Sequence, residues 1–397
     1  MIEATVELGR DAMKATQWEA CGLAMLFVVG FMGACSHPET RAGNGWNQKN
    51  AAAYLDQREA WWMAWPVAAR DHQTFCVSCH TAVSYALARP ALRTALGEDV
   101  PSPGERRLLD NVAKRVRLWN EVKPYYSDKE YGEHKAAQSR GTEAVLNALI
   151  LATYDAREGK LSDDTRAAFA DMWALQQTQG DGKGAWSWLQ FNNEPWEAHD
   201  SQYYGAALAA VATGAAPDNY RSSPEIQNNL KLLREYLNRE YTEQSAINRV
   251  VLLWASTKWP GLLTRERRQS IVSEVIDQQR ADGSWSLAPL SWTWRDWSLK
   301  SQIKLWIRSD ATPLEPKSDG YATGLIVFAL EQASLPRENV HLERGLAWLM
   351  RSQNKKEGFW PSYSLNGRHD PSSDTGRFMD DAATAYAVLA LTDNGTR

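Results

Sequence analysis

Three stretches of this chain repeat one pattern. They are QQTQGDGKGAWSW from Gln176 to Trp188, QQRADGSWS from Gln278 to Ser286, and SQNKKEGFWPS from Ser352 to Ser362. Each runs from Gln, through Asp or Glu with Gly, to an aromatic residue. A recurring unit constrains a fold more than composition does, because one copy cannot bury its apolar face alone and must stack on its neighbours. The residue types suit a connection between helices. A Gln amide can close a helix end, Gly supplies the positive φ of the turn, and Trp folds over the next helix to fill the gap between pairs. The chain has 19 Trp in 397 residues, as expected of a residue spent on such contacts.

Six segments rich in Ala and Leu accompany the loops: CHTAVSYALARPAL, GTEAVLNALILATY, HDSQYYGAALAAVATG, EQSAINRVVLLWAS, DGYATGLIVFALEQA and DDAATAYAVLALT. Small residues let helices approach closely, so these segments read as an inner ring. Each is preceded by an amphipathic partner, at about 50–63, 104–119, 163–177, 224–239, 264–280 and 338–352. The partners carry charge on one face and read as an outer ring. Six inner and six outer helices predict an all-α fold closed into an (α/α)6 toroid, since closure removes the ends an open solenoid must cap. Residues 182–199 and 287–317 read as long loops of the kind that shape a site.

The Gln-x-x-x-Gly-x-Trp-type repeats resemble the QW motifs of squalene–hopene cyclases and the related repeats of protein prenyltransferase β-subunits. The resemblance covers roughly residues 50 to 395. It implies an α/α toroid whose apolar central cavity accepts isoprenoid chains, without by itself carrying the activity. In class II terpene cyclases the middle Asp of an Asp-x-Asp-Asp-Thr-Ala motif protonates an alkene. The matching stretch here is FMDDAA, Phe378 to Ala383. Asp380 and Asp381 are present and are the candidate catalytic acids, but Phe378 replaces the first Asp and Ala382 replaces Thr. The alternative makes Asp380 a helix N-cap with Asp381 in the first turn. Prenyltransferases hold zinc with Asp, Cys and His, and this chain lacks the corresponding late Cys.

Cys76-Val77-Ser78-Cys79-His80 is the attachment signature of c-type haem. Two thiols at this spacing add to the two vinyl groups on one haem edge, and the adjacent His takes an axial position on the iron. Followed by Thr81, the string looks like the binding box of many cytochromes c. Here it reads as the opening of the first inner helix. Two alternatives stay open: a Cys76–Cys79 disulfide, and zinc held by both thiolates, His80 and a further ligand. If the ring closes, the starts of the inner helices share one mouth, gathering Cys76, Cys79, His80, Glu143, His199, Asp200, Glu243, Asp319, Asp380 and Asp381. A ring of helix N-termini favours anions and polar head groups. The sixth iron ligand would be Met379, His199 or a water. Tyr203, Tyr204 and Tyr321 near the rim read as packing residues, and His134 and His369 as exposed loop residues.

The first 35 residues read as a targeting signal. CGLAMLFVVGFMGAC, Cys21 to Cys35, has the length of a signal-peptide core and is short for a membrane span. It ends in Met32-Gly33-Ala34-Cys35, which resembles a bacterial lipobox with Cys35 as the lipidated residue. Met13 with Lys14 would make a more typical start, and an uncleaved anchor is the alternative. Both export the chain, and haem attachment requires export. The formal net charge of −4 and the lack of a long basic run give no footprint for nucleic acid. The expected organisation is a signal peptide at 1–35, a linker at 36–49 and one toroid domain at 50–397.

The expected protein is a haem c lipoprotein on the periplasmic face of a bacterial membrane. Its role would be redox or electron transfer, coupled to an isoprenoid-like hydrophobic ligand and a periplasmic electron-transfer partner. Three other readings stand beside it: a non-redox isoprenoid cyclase using Asp380 or Asp381, a non-catalytic binding protein on the membrane surface, and an exported sugar-cleaving (α/α)6 enzyme.

Overall fold

A computed structural model describes residues 45–291, 317–367 and 369–393. The expected signal peptide with Cys35, residues 36–44 of the linker, and residues 292–316 of the second long loop lie outside the described residues. The fold is all-α. Its principal helices are α1 (Gln48–Ala64), α2 (Ala82–Leu96), α3 (Pro103–Arg117), α4 (Lys135–Glu158), α5 (Asp163–Ala174) and α6 (Ser201–Ala215). They continue with α7 (Gln227–Arg239), α8 (Ala246–Lys258), α9 (Arg265–Asp277), α10 (Gly320–Gln332), α11 (Val340–Ser352) and α12 (Phe378–Thr392).

The two classes of segment fold as their composition dictates. The even-numbered helices are buried around most of their circumference; in α10 every residue from Gly320 to Glu331 is buried. The odd-numbered helices bury a stripe, such as Leu230, Leu233 and Leu237 of α7. Several of them start on side-chain caps: Ser102 and Glu105 form a capping box at α3, and Ser162 and Thr264 cap α5 and α9. Small residues permit the inner contacts. A Cβ on Gly324 of α10 would stand 2.7 Å from the Ala387 nitrogen of α12. Helix α2 packs on α4, α4 on α6, α6 on α8, α8 on α10, α10 on α12, and α12 packs back on α2. The sequence pairs each outer helix with the inner helix that follows it. The contacts put α5, α7 and α9 chiefly on α4, α6 and α8, the inner helices that precede them.

The Gln/Gly/Trp loops make one set of hydrogen bonds three times. The Gln side-chain nitrogen donates to the carbonyl of its own loop glycine, Gln176 to Gly184, Gln279 to Gly283 and Gln353 to Gly358, at 3.0, 2.9 and 3.0 Å. The same nitrogen donates to a carbonyl at the start of the next outer helix: Asn229 at 3.0 Å, His341 at 2.8 Å and Asn47 at 3.1 Å. In the third copy that partner lies at the other end of the chain, 306 residues away, and the Asn47 N–H also donates to Gln353 Oε1 at 2.6 Å. The indole N–H of Trp186, Trp285 and Trp360 donates back to the preceding outer helix, at Met172, Val275 and Leu349. The ring thus folds on the helix before it as well as filling the gap toward the next. Gly283 and Gly358 have φ of +91° and +94°, and a side chain on either would run toward the backbone of α11 or α1. Among the described residues, no helix is long and apolar enough to cross a membrane.

Candidate functional site

The segment carrying Cys76 and Cys79 is fixed before α2 begins. A short antiparallel pair, β1 (Ala69–Arg70) with β2 (Thr74–Phe75), delivers the chain to Cys76, whose N–H donates to Ala68 O at 2.8 Å. The Trp62 indole N–H donates to Cys76 O at 2.7 Å. Asn111 of α3 clamps Phe75 from both sides, accepting from its N–H at 2.9 Å and donating to its carbonyl at 3.1 Å. The box therefore precedes the first inner helix rather than opening it. Ser78 is the reason: its Oγ accepts from the Thr81 and Ala82 N–H groups at 3.2 and 3.1 Å, so the helix starts at Ala82.

Both cysteines are buried and neither is in a disulfide. Burial pushes the Cys76 thiol up to about 12 and the Cys79 thiol well above its ordinary value, so both are neutral thiols. His80 is enclosed by aromatic rings. Phe378 stacks on it at 3.8 Å, Trp62 meets it edge-on at 5.1 Å, and Trp196 lies at 6.2 Å. Burial first, and then the Arg58 charge, push its pKa down to about 3, so the ring is the neutral imidazole that metal ligation requires.

His80 Nδ1 lies 2.8 Å from Thr81 Oγ1, which donates to Asp381 Oδ2 at 2.6 Å. Asp381 Oδ1 accepts from Tyr54 OH at 2.8 Å and from Arg58 Nε at 2.7 Å. Burial raises the Asp381 pKa, with Arg58, Thr81 and Tyr54 opposing that rise. Asp380 faces elsewhere. It accepts the Ser362 N–H at 2.8 Å, and Ser362 Oγ donates to Asp319 at 3.3 Å. Burial pushes Asp380 up to about 7 and Asp319 up to about 6. The two acids occupy equivalent places in the repeat. Asp319 accepts the N–H of Leu287, two residues after Trp285, and Asp380 accepts that of Ser362, two residues after Trp360. Each anchors a Gln/Gly/Trp loop to the next inner helix. Asp319 is an N-cap, but α12 starts earlier than expected, with Arg377 at its cap, so Asp380 and Asp381 both lie in its first turn.

The other expected mouth residues divide into separate groups. Glu143 is not at a helix start, because α4 begins two turns earlier at Lys135. It is fully buried in an ion pair with Arg115 at 2.5 Å. Arg115 also donates to Thr74 Oγ1 at 2.7 Å, so the pair braces the strand that leads to Cys76. Glu194, His199 and Asp200 each bring one ligand atom within 4.8 Å of the others. Among the described residues no other three His, Cys, Asp or Glu converge in this way, and Cys76, Cys79 and His80 do not. Glu243 ends a short turn before α8. Met379 is buried in α12, next to Phe378.

Tyr203 packs as expected, its hydroxyl donating to Leu237 O at 2.8 Å. Trp196 Nε1 donates to Tyr321 OH at 3.0 Å, and Tyr321 meets Tyr386 at 5.5 Å; Tyr204 packs on Trp188. His134 and His369 are exposed. Sequence reasoning missed Tyr54, Arg58 and Glu59. The available signal was a pair of charges, Arg58 and Glu59, among the apolar residues Tyr54, Leu55, Trp62 and Met63 of one helix. No protein-family model matches the chain, and no curated protein matches it in sequence.

Proposed function

We propose that this chain is a squalene-cyclase-like (α/α)6 toroid carrying a covalent haem c, with a redox or electron-transfer role coupled to a hydrophobic ligand. The cycle of contacts from α2 through α12 and back, together with the Gln353–Asn47 tie between the chain's two ends, supports closure of the ring. The carrying observation for the cofactor is the donor set. Two neutral thiols that are not in a disulfide stand three residues apart, followed by a neutral His80 whose Nε2 has no hydrogen-bond partner among the described residues. Cys76 and Cys79 would hold the porphyrin edge and His80 the iron. The aromatic walls from Trp62, Trp196 and Phe378 suit a flat apolar group. Met379, His199 or a water would be the further ligand of that iron. Such a group supplies a reversible one-electron iron couple.

Zinc fits less well. Tetrahedral zinc needs its ligand atoms gathered within about 4 Å of one another, judging from metal–ligand bonds near 2.0–2.3 Å, and the two sulfurs and the imidazole are not so gathered. The expected lipid anchor at Cys35 places the protein at the periplasmic face of a bacterial membrane, facing a periplasmic electron-transfer partner. The test is a pyridine haemochrome spectrum of protein made with c-type haem maturation machinery. A Soret band that survives denaturation, and is lost in Cys76→Ser with Cys79→Ser, is expected. Colourless wild-type protein refutes the reading.

The cyclase reading has one observation in its favour, a buried Asp380 held near neutrality. Its repeat-equivalent Asp319 shares that environment and anchors a loop in the same way. Asp381 is committed to Arg58. Loss of polyprene cyclisation in Asp380→Asn, with haem reduction unchanged, would favour the cyclase reading.

A further inference from the structure

Thr81 uses its only hydroxyl hydrogen on Asp381, at 2.6 Å. The carboxylate also receives Arg58 Nε and Tyr54 OH, both donors, and the guanidinium keeps a counter-charge against it at 2.7 Å. Thr81 Oγ1 is therefore left as an acceptor toward its other neighbour, His80 Nδ1 at 2.8 Å. The hydrogen of the neutral imidazole then sits on Nδ1, and Nε2 keeps its lone pair.

We infer that Asp381, acting through Thr81, is the positioning group for His80: it fixes the tautomer and ring orientation and makes Nε2 a stronger electron donor to a metal. The inference deepens the haem reading above and rests on it for the metal's identity, but not for the tautomer. Metal-bound histidines are commonly tuned by a carboxylate or carbonyl on the other ring nitrogen. Here the carboxylate acts from α12, 300 residues away in sequence, with a threonine hydroxyl between. Tyr54 and Arg58 of α1 are the groups that hold Asp381 in place. The packing supports the assignment, since Phe378 of α12 presses on the ring that Asp381 of α12 orients. Helix α12 thus controls both the plane and the proton of this imidazole.

Two measurements test this. In the full-length chain, ¹⁵N chemical shifts of labelled histidine, assigned to His80 with a His80→Gln control, should show Nδ1 protonated and Nε2 bare. A protonated Nε2 overturns the inference whether or not haem is bound. In haem-loaded protein, Thr81→Val should shift the reduction potential to a more positive value, because a weaker donor stabilises the oxidised iron less. Thr81→Ser should restore the wild-type potential. Asp381→Asn should shift it in the same direction, and Thr81→Val combined with Asp381→Asn should go no further than the larger single effect. Haem-loaded Thr81→Val at the wild-type potential overturns the positioning role and leaves the haem assignment standing. Wild-type protein without covalent haem overturns the haem assignment, and the ¹⁵N result still decides the relay. Should Thr81→Val fail to fold, the wild-type ¹⁵N result decides alone.

Discussion

Replacing Glu59 by Gln should remove a stability loss that the native protein suffers on going from mildly acidic to alkaline pH. Glu59 lies on α1 and is fully buried, and neither carboxylate oxygen has a hydrogen-bond partner among the described residues. Burial first, then the nearby Asp381 charge, push its pKa from 4.5 up to about 8, against a partial opposing effect of Arg107. The native residue is thus a neutral acid at pH 7. An unfolded chain releases this proton near 4.5, whereas the native fold holds it to about 8. Between those values the native state binds more protons, so stability is fully present below 4.5, falls as pH rises and is exhausted above about 8. At about 1.4 kcal/mol per pH unit the interval amounts to about 5 kcal/mol, an upper figure if the charged form draws in water.

The assay is urea denaturation of wild type and Glu59→Gln at pH 5, 7 and 9 at one ionic strength. At pH 5 the two should differ little, because a neutral acid is replaced by an amide of the same shape. At pH 9 the variant should be the more stable by several kcal/mol. Other titrating groups contribute to both proteins and cancel in the difference. A stability difference that does not change from pH 5 to pH 9 would refute the reasoning.

Gln353→Ala should cost about 1–3 kcal/mol in denaturant, since it strands the Asn47 N–H and the Gly358 carbonyl, while the Asn47 carbonyl keeps the Ala51 N–H at 3.1 Å. Hydrogen exchange should then rise at the start of α1, far from the substitution in sequence, and protection unchanged there would count against the tie. Gly358→Ala should destabilise by more than about 1 kcal/mol, whereas a Gly→Ala change at a compatible backbone position stabilises. Its φ is +94° and the added carbon would strike the Asn50 carbonyl; a thermal midpoint at the wild-type value would contradict the geometry. Arg115→Met should cost about 3–5 kcal/mol by leaving Glu143 buried with only the longer Arg140 contact at 3.4 Å. Adding Glu143→Gln should recover part of that loss, and a purely additive double variant would show the pair to be uncoupled.

The helices were legible because each carries its own periodicity. The Ala-rich and amphipathic segments read from the sequence fall on α1 to α12 within a few residues, since small-residue runs and apolar stripes declare burial without knowledge of the partner. The two acids of FMDDAA were legible as a pair but not as individuals. Only the three-dimensional arrangement separates them, with Asp380 on the Ser362 amide and Asp381 on Arg58, Tyr54 and Thr81. Glu143 was misplaced because the segment from Lys135 to Arg140 carries no stop signal, so the helix begins two turns before the apolar run.

The sequence by itself determined the all-α character, the recurrence of the Gln/Gly/Trp loop and the placing of Cys76, Cys79 and His80 within five residues. These depend on residue type and local spacing, which a linear string records. Tertiary structure alone decided which outer helix lies on which inner one, that Gln353 reaches Asn47, and that Thr81, beside the His80 ring, meets a carboxylate 300 residues further along the chain. Those facts depend on where helices of opposite ends of the chain meet. Side-chain packing settles that placement, and no local pattern in the chain encodes it.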